Sequence, residues 1–111
     1  DELSLDGGND MAEGKGNALV AMHRLHGSDL DLPSRPVSAI RGGDAAHNAA
    51  ALRALLQGEQ SAYRDAVLLN AAVALVVADA AADLREGMEE AAETIDRGLA
   101  NALLNCWIAY S

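Results

Sequence analysis

The stretch YRDAVLLNAAVALVVADAAADLREG (Tyr63–Gly87) contains the most apolar part of the chain. From Ala66 to Ala78 every residue is apolar except Asn70. A helix that is apolar on all sides is buried at the centre of a fold. This run is too short to span a bilayer and is flanked by Asp65 and Asp79. The stretch therefore predicts a central helix of a globular domain.

Three more helices are predicted around this one, because polar capping residues and glycines divide residues 44–111 into four segments. The segments run from about Ala45 to Gln57 (N-cap Asp44, stop Gly58), Ala62 to Ala78 (N-cap Ser61), Asp83 to Gly98 (capping box Asp83 and Glu86), and Leu99 to Tyr110.

The outer helices have one apolar stripe each. The stripes are Ala49, Leu52, Leu55 and Leu56 in the first; Leu84, Met88, Ala91 and Ile95 in the third; and Leu103, Leu104, Trp107 and Ile108 in the fourth. In the third helix, Gly87 is expected to cost about 1 kcal/mol relative to Ala. Three single stripes do not cover the full circumference of a central helix, so we expect part of it to stay uncovered.

Residues 1–43 hold seven of the ten glycines and both prolines, which favours strands and turns. ELSL (2–5) alternates in polarity and predicts a strand. DGGND (6–10) predicts a turn. NALVAMHRL (17–25) predicts a second strand, and GKGN (14–17) before it predicts a hairpin turn.

The composition bounds the function. The 111 residues make one domain at most, with a formal net charge of −9. Nucleic acid and anionic membranes are disfavoured as partners, whereas a divalent cation is compatible. Cys106 is the only cysteine, so no internal disulfide forms. The acidic N-terminus does not have the pattern of a signal peptide, which fits a cytoplasmic protein.

Four segments resemble the C-terminal portion of the anthranilate phosphoribosyltransferase family: DELSL (1–5), RGGDAAHNAAALRALL (41–56), YRDAVLLNAAVALVVADAAADLREGMEEAAETIDRG (63–98) and WIAYS (107–111). That family joins anthranilate to phosphoribosyl pyrophosphate in tryptophan biosynthesis. The resemblance implies the C-terminal part of an α/β domain of the nucleoside phosphorylase type. Here a β-hairpin region (1–43) precedes about four helices (44–111), and the rest of the domain would cover the central helix. It also implies a homodimer.

The resemblance assigns one functional motif, the acidic pair Asp1 and Glu2. In the family this pair binds Mg²⁺ on the pyrophosphate of the donor. Mg²⁺ prefers carboxylate oxygens together with substrate phosphates, and it neutralises charge on the departing group. Taken without the resemblance, two adjacent acidic residues are a weak signal and most simply describe an acidic chain end in solvent. The donor-binding loop and the anthranilate-binding segments of the family have no counterpart in these residues.

Several other polar residues leave alternatives open. His23 and His26 are either metal ligands or surface histidines, and His47 is expected at the surface. If Asn70 is buried it needs a hydrogen-bond partner, so it is either a structural anchor bonded to neighbouring backbone or a substrate contact. Cys106 is expected to be a packed thiol, since no His–Asp arrangement supports nucleophilic catalysis.

Two functions from different classes follow. In the first, the chain belongs to a Mg²⁺-dependent phosphoribosyltransferase and is inactive alone, because the donor loop and acceptor pocket are missing. In the second, it is a non-catalytic helical module derived from that enzyme, which self-associates through exposed apolar faces. The gene sequence upstream of Asp1 distinguishes them: a glycine-rich loop and a helical domain favour the enzyme, and a start codon favours the module.

Overall fold

The computed structural model describes residues 2–15 and 18–111, without the side chains of residue 15 and residues 18–22. Its elements are β1 (Gly8–Lys15), β2 (Ala18–His26), α1 (Ala45–Leu56), α2 (Ala62–Val77), α3 (Leu84–Asp96) and α4 (Leu99–Tyr110). Short 3₁₀ turns at Gly27–Leu30 and Val37–Ile40 lie between β2 and α1. The four predicted helices and the predicted second strand are thus confirmed. None of the helices in the described part of the chain has the length and apolar character needed to cross a membrane.

Three helices begin at the predicted capping residues. The side chain of Asp44 accepts a hydrogen bond from the backbone N–H of His47 at 2.8 Å, and the side chain of Asp83 accepts one from Glu86 at 2.8 Å. Ser61 caps α2 in the same way. These bonds satisfy backbone donors that a helix leaves unpaired at its first turn. At Asp83 only this half of the predicted capping box forms among the described residues.

α2 packs against α3, and the first part of the core lies between them and α1. The buried residues of this first cluster are Leu55, Leu68, Ala91 and Ile95. At the edge of the cluster, the buried guanidinium of Arg64 donates to both carboxylate oxygens of Asp96, at 2.9 and 3.0 Å. This paired geometry joins the start of α2 to the end of α3 and satisfies a charge that would otherwise be buried alone.

Gly87 of α3 lies directly against the backbone of α2. A Cβ atom at this position would lie 2.9 Å from the carbonyl oxygen of Ala72 and 3.0 Å from its Cα. Ala72 is fully buried on α2. The glycine that weakens α3 as an isolated helix is therefore the residue that lets α3 contact the backbone of α2.

A second cluster lies on another side of α2, where Leu5, Leu32 and Leu69 are buried. Met88 packs against both clusters and so connects them. Leu69 is completely buried at 0% exposure, which shows that the N-terminal segment, and not only the helices, covers α2.

The N-terminal half departs from the sequence prediction in its first strand and its turns. ELSL forms no strand, because the backbone groups of Leu3 and Ser4 bond to side chains of Asn70 and Asn9 instead of to a neighbouring strand. The predicted turn at 6–10 is shorter, since β1 already begins at Gly8.

β1 and β2 pair antiparallel with a register shift between Glu13 and Gly14. The predicted hairpin region is thus confirmed, but its first strand, β1, was not predicted from the sequence. Gly14 and Lys15 of the predicted turn belong to β1, and Gly16 and Asn17 lie outside the described residues.

The expected gap in the cover of α2 is confirmed. Ala74 and Val77 near its C-terminal end are exposed, Val77 to 79%. The predicted stripe of α4 is also largely in solvent, with Trp107 exposed to 65%. In α1 the prediction for Ala49 was wrong: this residue is exposed, because α1 contacts the core only through its C-terminal half, around Leu55.

Candidate functional site

The candidate site is the N-terminal segment that carries the predicted acidic pair. Asp1 lies outside the described residues. Glu2 is exposed, and within the described part of the chain its carboxylate has no hydrogen bond or ion pair. A carboxylate in this state is available to a cation. The residues that follow it are held far more firmly than an ordinary chain end.

Asn70 on α2 holds Leu3 through both of its backbone polar groups. The backbone N–H of Leu3 donates to Oδ1 of Asn70 at 2.7 Å, and Nδ2 of Asn70 donates back to the carbonyl of Leu3 at 3.0 Å. Nδ2 also donates to the carbonyl of Ala66 at 2.9 Å. Only one orientation of the amide fits these partners, since two carbonyls require the NH₂ group and one N–H requires the oxygen. The predicted structural anchor at Asn70 is confirmed.

Asn9 on β1 holds the next residue, Ser4, in the same manner. The backbone N–H of Ser4 donates to Oδ1 of Asn9 at 2.9 Å, and Nδ2 of Asn9 donates to the carbonyl of Ser4 at 2.9 Å. Asn9 and Asn70, which we call the asparagine pair, bond two consecutive residues of the segment.

Leu5 completes the attachment. Its side chain is 4% exposed within the second core cluster, together with Leu69 and Leu32. Its carbonyl accepts a hydrogen bond from the backbone N–H of Arg35 at 3.2 Å. Three successive residues are therefore fixed by three different parts of the fold: α2, the hairpin and the loop before α1.

Two aspartates near α2 have shifted acidities. Burial raises the pKa of Asp65, while the positive charges of Arg35 and Arg64 oppose that rise. The hydrogen bond from Arg64 lowers the pKa of Asp96, an effect that burial opposes and the charge of Arg64 reinforces. Asp96 serves the helix–helix contact and lies outside the candidate site.

The histidines do not form a metal site. Nε2 of His23 lies 3.1 Å from a carboxylate oxygen of Glu13 on the neighbouring strand, and both side chains are exposed. His26 is also exposed. No group of three or more histidine, cysteine or acidic side chains is arranged to hold a metal ion within the residues described. This favours the surface interpretation of both residues.

His47 is exposed, as predicted, but Cys106 is not the packed thiol that the sequence suggested. It is exposed because the side of α4 that carries it is not covered by the described residues.

Sequence reasoning missed Asn9. It stands within a cluster of turn-forming residues, where asparagine is common for its backbone conformation alone. No local signal in the sequence identifies it, because only the folded chain brings Asn9 and Asn70 to the segment that they bond.

Comparisons with known proteins match nearly the whole chain. A family model described as "Glycosyl transferase family, a/b domain" matches residues 1–101. An anthranilate phosphoribosyltransferase of Novosphingobium aromaticivorans is 63% identical over 109 residues, which are 98% of this chain and 33% of the relative. One of Sphingopyxis alaskensis is 64% identical over 110 residues, 99% of this chain and 33% of the relative.

A solved structure is similar as well. The crystal structure of anthranilate phosphoribosyltransferase from Thermus thermophilus matches with a TM-score of 0.86 at 35% identity, over 99% of this chain and 32% of that one. The chain thus spans about a third of the length of the relatives and of the solved structure that it matches.

Proposed function

Because the chain belongs to the glycosyl transferase family with an a/b domain, we propose that it is part of an anthranilate phosphoribosyltransferase of tryptophan biosynthesis. The proposed enzyme transfers phosphoribose from phosphoribosyl pyrophosphate to the amino group of anthranilate and releases pyrophosphate. It depends on Mg²⁺, acts in the cytoplasm and is a homodimer. The observation that carries the proposal is the 63% identity with the Novosphingobium relative over 98% of this chain.

The acidic pair suits the proposed Mg²⁺. Mg²⁺ is usually bound by one or two carboxylates together with substrate phosphates, and it keeps several waters. Asp1 and Glu2 would supply the carboxylates, and Glu2 is exposed with no competing partner among the described residues. When bound, the ion would neutralise negative charge on the pyrophosphate that leaves.

The remaining contribution of this chain is positioning. The asparagine pair and Leu5 fix the backbone next to Glu2, while α2 and α3 provide the packed support behind it. Fixed charges reduce the reorganisation needed during a reaction. The chain alone contains no donor loop or acceptor pocket that we recognise, so we expect the isolated 111 residues to be inactive.

The test exchanges this chain for the matched region of the Novosphingobium relative, giving what we call the exchanged enzyme. It should form phosphoribosyl-anthranilate when both substrates and Mg²⁺ are present. Replacing Asp1 and Glu2 together by Ala should raise the Mg²⁺ requirement and slow turnover. The matched control is Glu89 and Glu90 replaced by Ala on the exposed face of α3, which should leave both unchanged.

Three results would each contradict a part of the proposal. An exchanged enzyme that folds but makes no product would remove the assigned activity. An unchanged Mg²⁺ dependence after loss of both acidic residues would remove the role of the pair. Product formation by the isolated chain would refute its expected inactivity.

One observation favours the second candidate, a self-associating module. α4 exposes Leu103, Trp107 and Ile108 to between 51% and 65%. Exposed apolar faces of this kind mark surfaces that bind other protein surfaces. The same face would be covered within the proposed enzyme, so the activity of the exchanged enzyme separates the two candidates.

A further inference from the structure

We propose that Asn70 and Asn9 are positioning residues for the acidic pair: they fix the backbone directly after it, so that Mg²⁺ binding depends on them although neither touches the ion. The inference rests on the proposed function, because it concerns the site that the acidic pair forms. It goes beyond it in assigning roles to two residues outside the acidic motif.

The side-chain amide of each asparagine matches the backbone groups that it holds. A carboxamide offers a donor and an acceptor side by side, like the backbone of a neighbouring strand. Asn70 uses both toward Leu3, at 2.7 and 3.0 Å, and Asn9 uses both toward Ser4, at 2.9 Å each. The backbone groups of Leu3 and Ser4 are thus paired although these residues belong to no sheet.

Asn70 lies at a position where a polar side chain needs partners. It is the one polar residue in the apolar run from Ala66 to Ala78, where a polar side chain is costly unless all its groups are bonded. Both of its N–H groups and its oxygen have partners. Burial of Leu5 already attaches the segment to the core. What the asparagine pair adds is a fixed backbone at the two residues nearest Glu2.

Mg²⁺ requires ligands that are held in a defined geometry. This ion demands nearly ideal octahedral coordination and tolerates little displacement of its ligands. Residues that orient the ligands of a metal without contacting it commonly change metal affinity by about 10- to 100-fold. A carboxylate on a freely moving backbone would lose this advantage, and Leu3 is the residue that follows Glu2.

The experiment measures Mg²⁺ in two ways in the exchanged enzyme. Turnover is followed against Mg²⁺ concentration with both substrates saturating. Mn²⁺ binding is followed by electron paramagnetic resonance with phosphoribosyl pyrophosphate but no anthranilate, which reports on the site without turnover. Asn70→Leu should raise the Mg²⁺ midpoint and the Mn²⁺ dissociation constant about 10-fold. The KM for anthranilate at saturating Mg²⁺ should stay unchanged.

Two further variants grade the effect. Asn70→Asp keeps an acceptor for the N–H of Leu3 but loses both donors, so its shift should exceed that of Asn9→Ala. Asn9→Ala releases Ser4 and leaves the packing of α2 intact, so it decides the question if Asn70→Leu does not fold. Ile95→Val is the control: it weakens the first core cluster and should lower stability without moving either metal midpoint.

The outcomes are distinguishable from failure of the proposed function. If the exchanged enzyme makes no product, the proposed function fails and this inference fails with it. If it is active but neither asparagine variant moves the Mg²⁺ or Mn²⁺ midpoint, only the inference is overturned. An equal shift in Ile95→Val would also overturn it, because the effect would then reflect lost stability.

Discussion

Substitution of Gly87 by Ala separates helix propensity from helix packing in a single residue. In an isolated helix this change should stabilise α3 by about 1 kcal/mol, because glycine loses more backbone entropy than alanine. In the folded chain the new methyl group would lie 2.9 Å from the carbonyl oxygen, 3.0 Å from Cα and 3.1 Å from Cβ of Ala72. Two of these three atoms are backbone, so no rotamer change removes the clash.

The magnitude follows from comparing the two effects. Extra carbon atoms in a packed core usually cost about 1–3 kcal/mol. Separation of α2 and α3 would also loosen Met88, which packs against both core clusters. Because the two closest atoms are backbone, the packing cost should lie in the upper part of that range, about 2–3 kcal/mol. Subtracting the propensity gain of about 1 kcal/mol, we expect Gly87→Ala to lower the free energy of unfolding by about 1–2 kcal/mol.

The assay is urea unfolding of the 111-residue chain at low protein concentration, followed by far-ultraviolet circular dichroism. Glu89 on the exposed face of α3 supplies the control: the difference between Glu89→Ala and Glu89→Gly measures propensity in the same helix without the contact. Adding Ala72→Gly to Gly87→Ala should restore little, because the closest atoms of Ala72 belong to its backbone.

A stabilisation by Gly87→Ala equal to the difference between the two Glu89 variants would refute this reasoning. It would mean that α2 and α3 are further apart than the contact at Ala72 requires. Full restoration by Ala72→Gly would show instead that the methyl group of Ala72, and not its backbone, limits the approach.

Three further predictions concern Asn70, Asp96 and the exposed face of α4. In urea unfolding of the chain, Asn70→Leu should cost about 1–3 kcal/mol because the polar groups of Leu3 lose their partner, and a change below about 0.5 kcal/mol would contradict this. The pKa of Asp96 is lowered in the folded chain, so its contribution to stability is present above the ordinary pKa of 3.8 and is lost as pH falls through the lower folded pKa. Asp96→Asn should therefore flatten the acid side of the pH–stability profile. An unaltered profile would count against the contact with Arg64. Sedimentation velocity should show that the isolated chain self-associates through the exposed face of α4. The double variant Leu103→Glu, Trp107→Glu should reduce this association, whereas the control Thr94→Glu on α3 should not. A wild-type chain that is monomeric would contradict the expectation.

The features predicted from the sequence are those that depend on neighbouring residues. Asp44, Ser61 and Asp83 begin helices because their side chains bond backbone N–H groups three residues on. The anchor at Asn70 followed from a general requirement, since a polar group in an apolar helix must find a partner. The identity of that partner did not follow, because Leu3 is 67 residues away in the chain.

The features that escaped prediction arise where distant elements meet. Alternating polarity in ELSL indicated a strand, but whether such a segment pairs with a strand or with side chains depends on what the fold places beside it. Gly87 looked like a weakness of α3 until the crossing with α2 showed its use. The contact between Arg64 and Asp96 joins residues 32 positions apart. A local sequence pattern cannot predict contacts between residues so far apart in the chain.

The exposed apolar surface fits both the proposed enzyme and the module, so the choice between them depends on the held N-terminal segment. Burial of an aliphatic side chain such as Val77, now 79% exposed, stabilises a fold by about 1.5–3 kcal/mol. The exposed end of α2 and the exposed face of α4 thus offer substantial stabilisation to whatever covers them, and either a second copy or the rest of an α/β domain would serve. The asparagine pair distinguishes these cases. Burial of Leu5 beside Leu69 would serve either candidate. A fixed backbone at Leu3 and Ser4 has a further use only where Glu2 holds a metal ion. A loss of Mg²⁺ affinity in Asn9→Ala without a loss of stability would therefore favour the proposed enzyme.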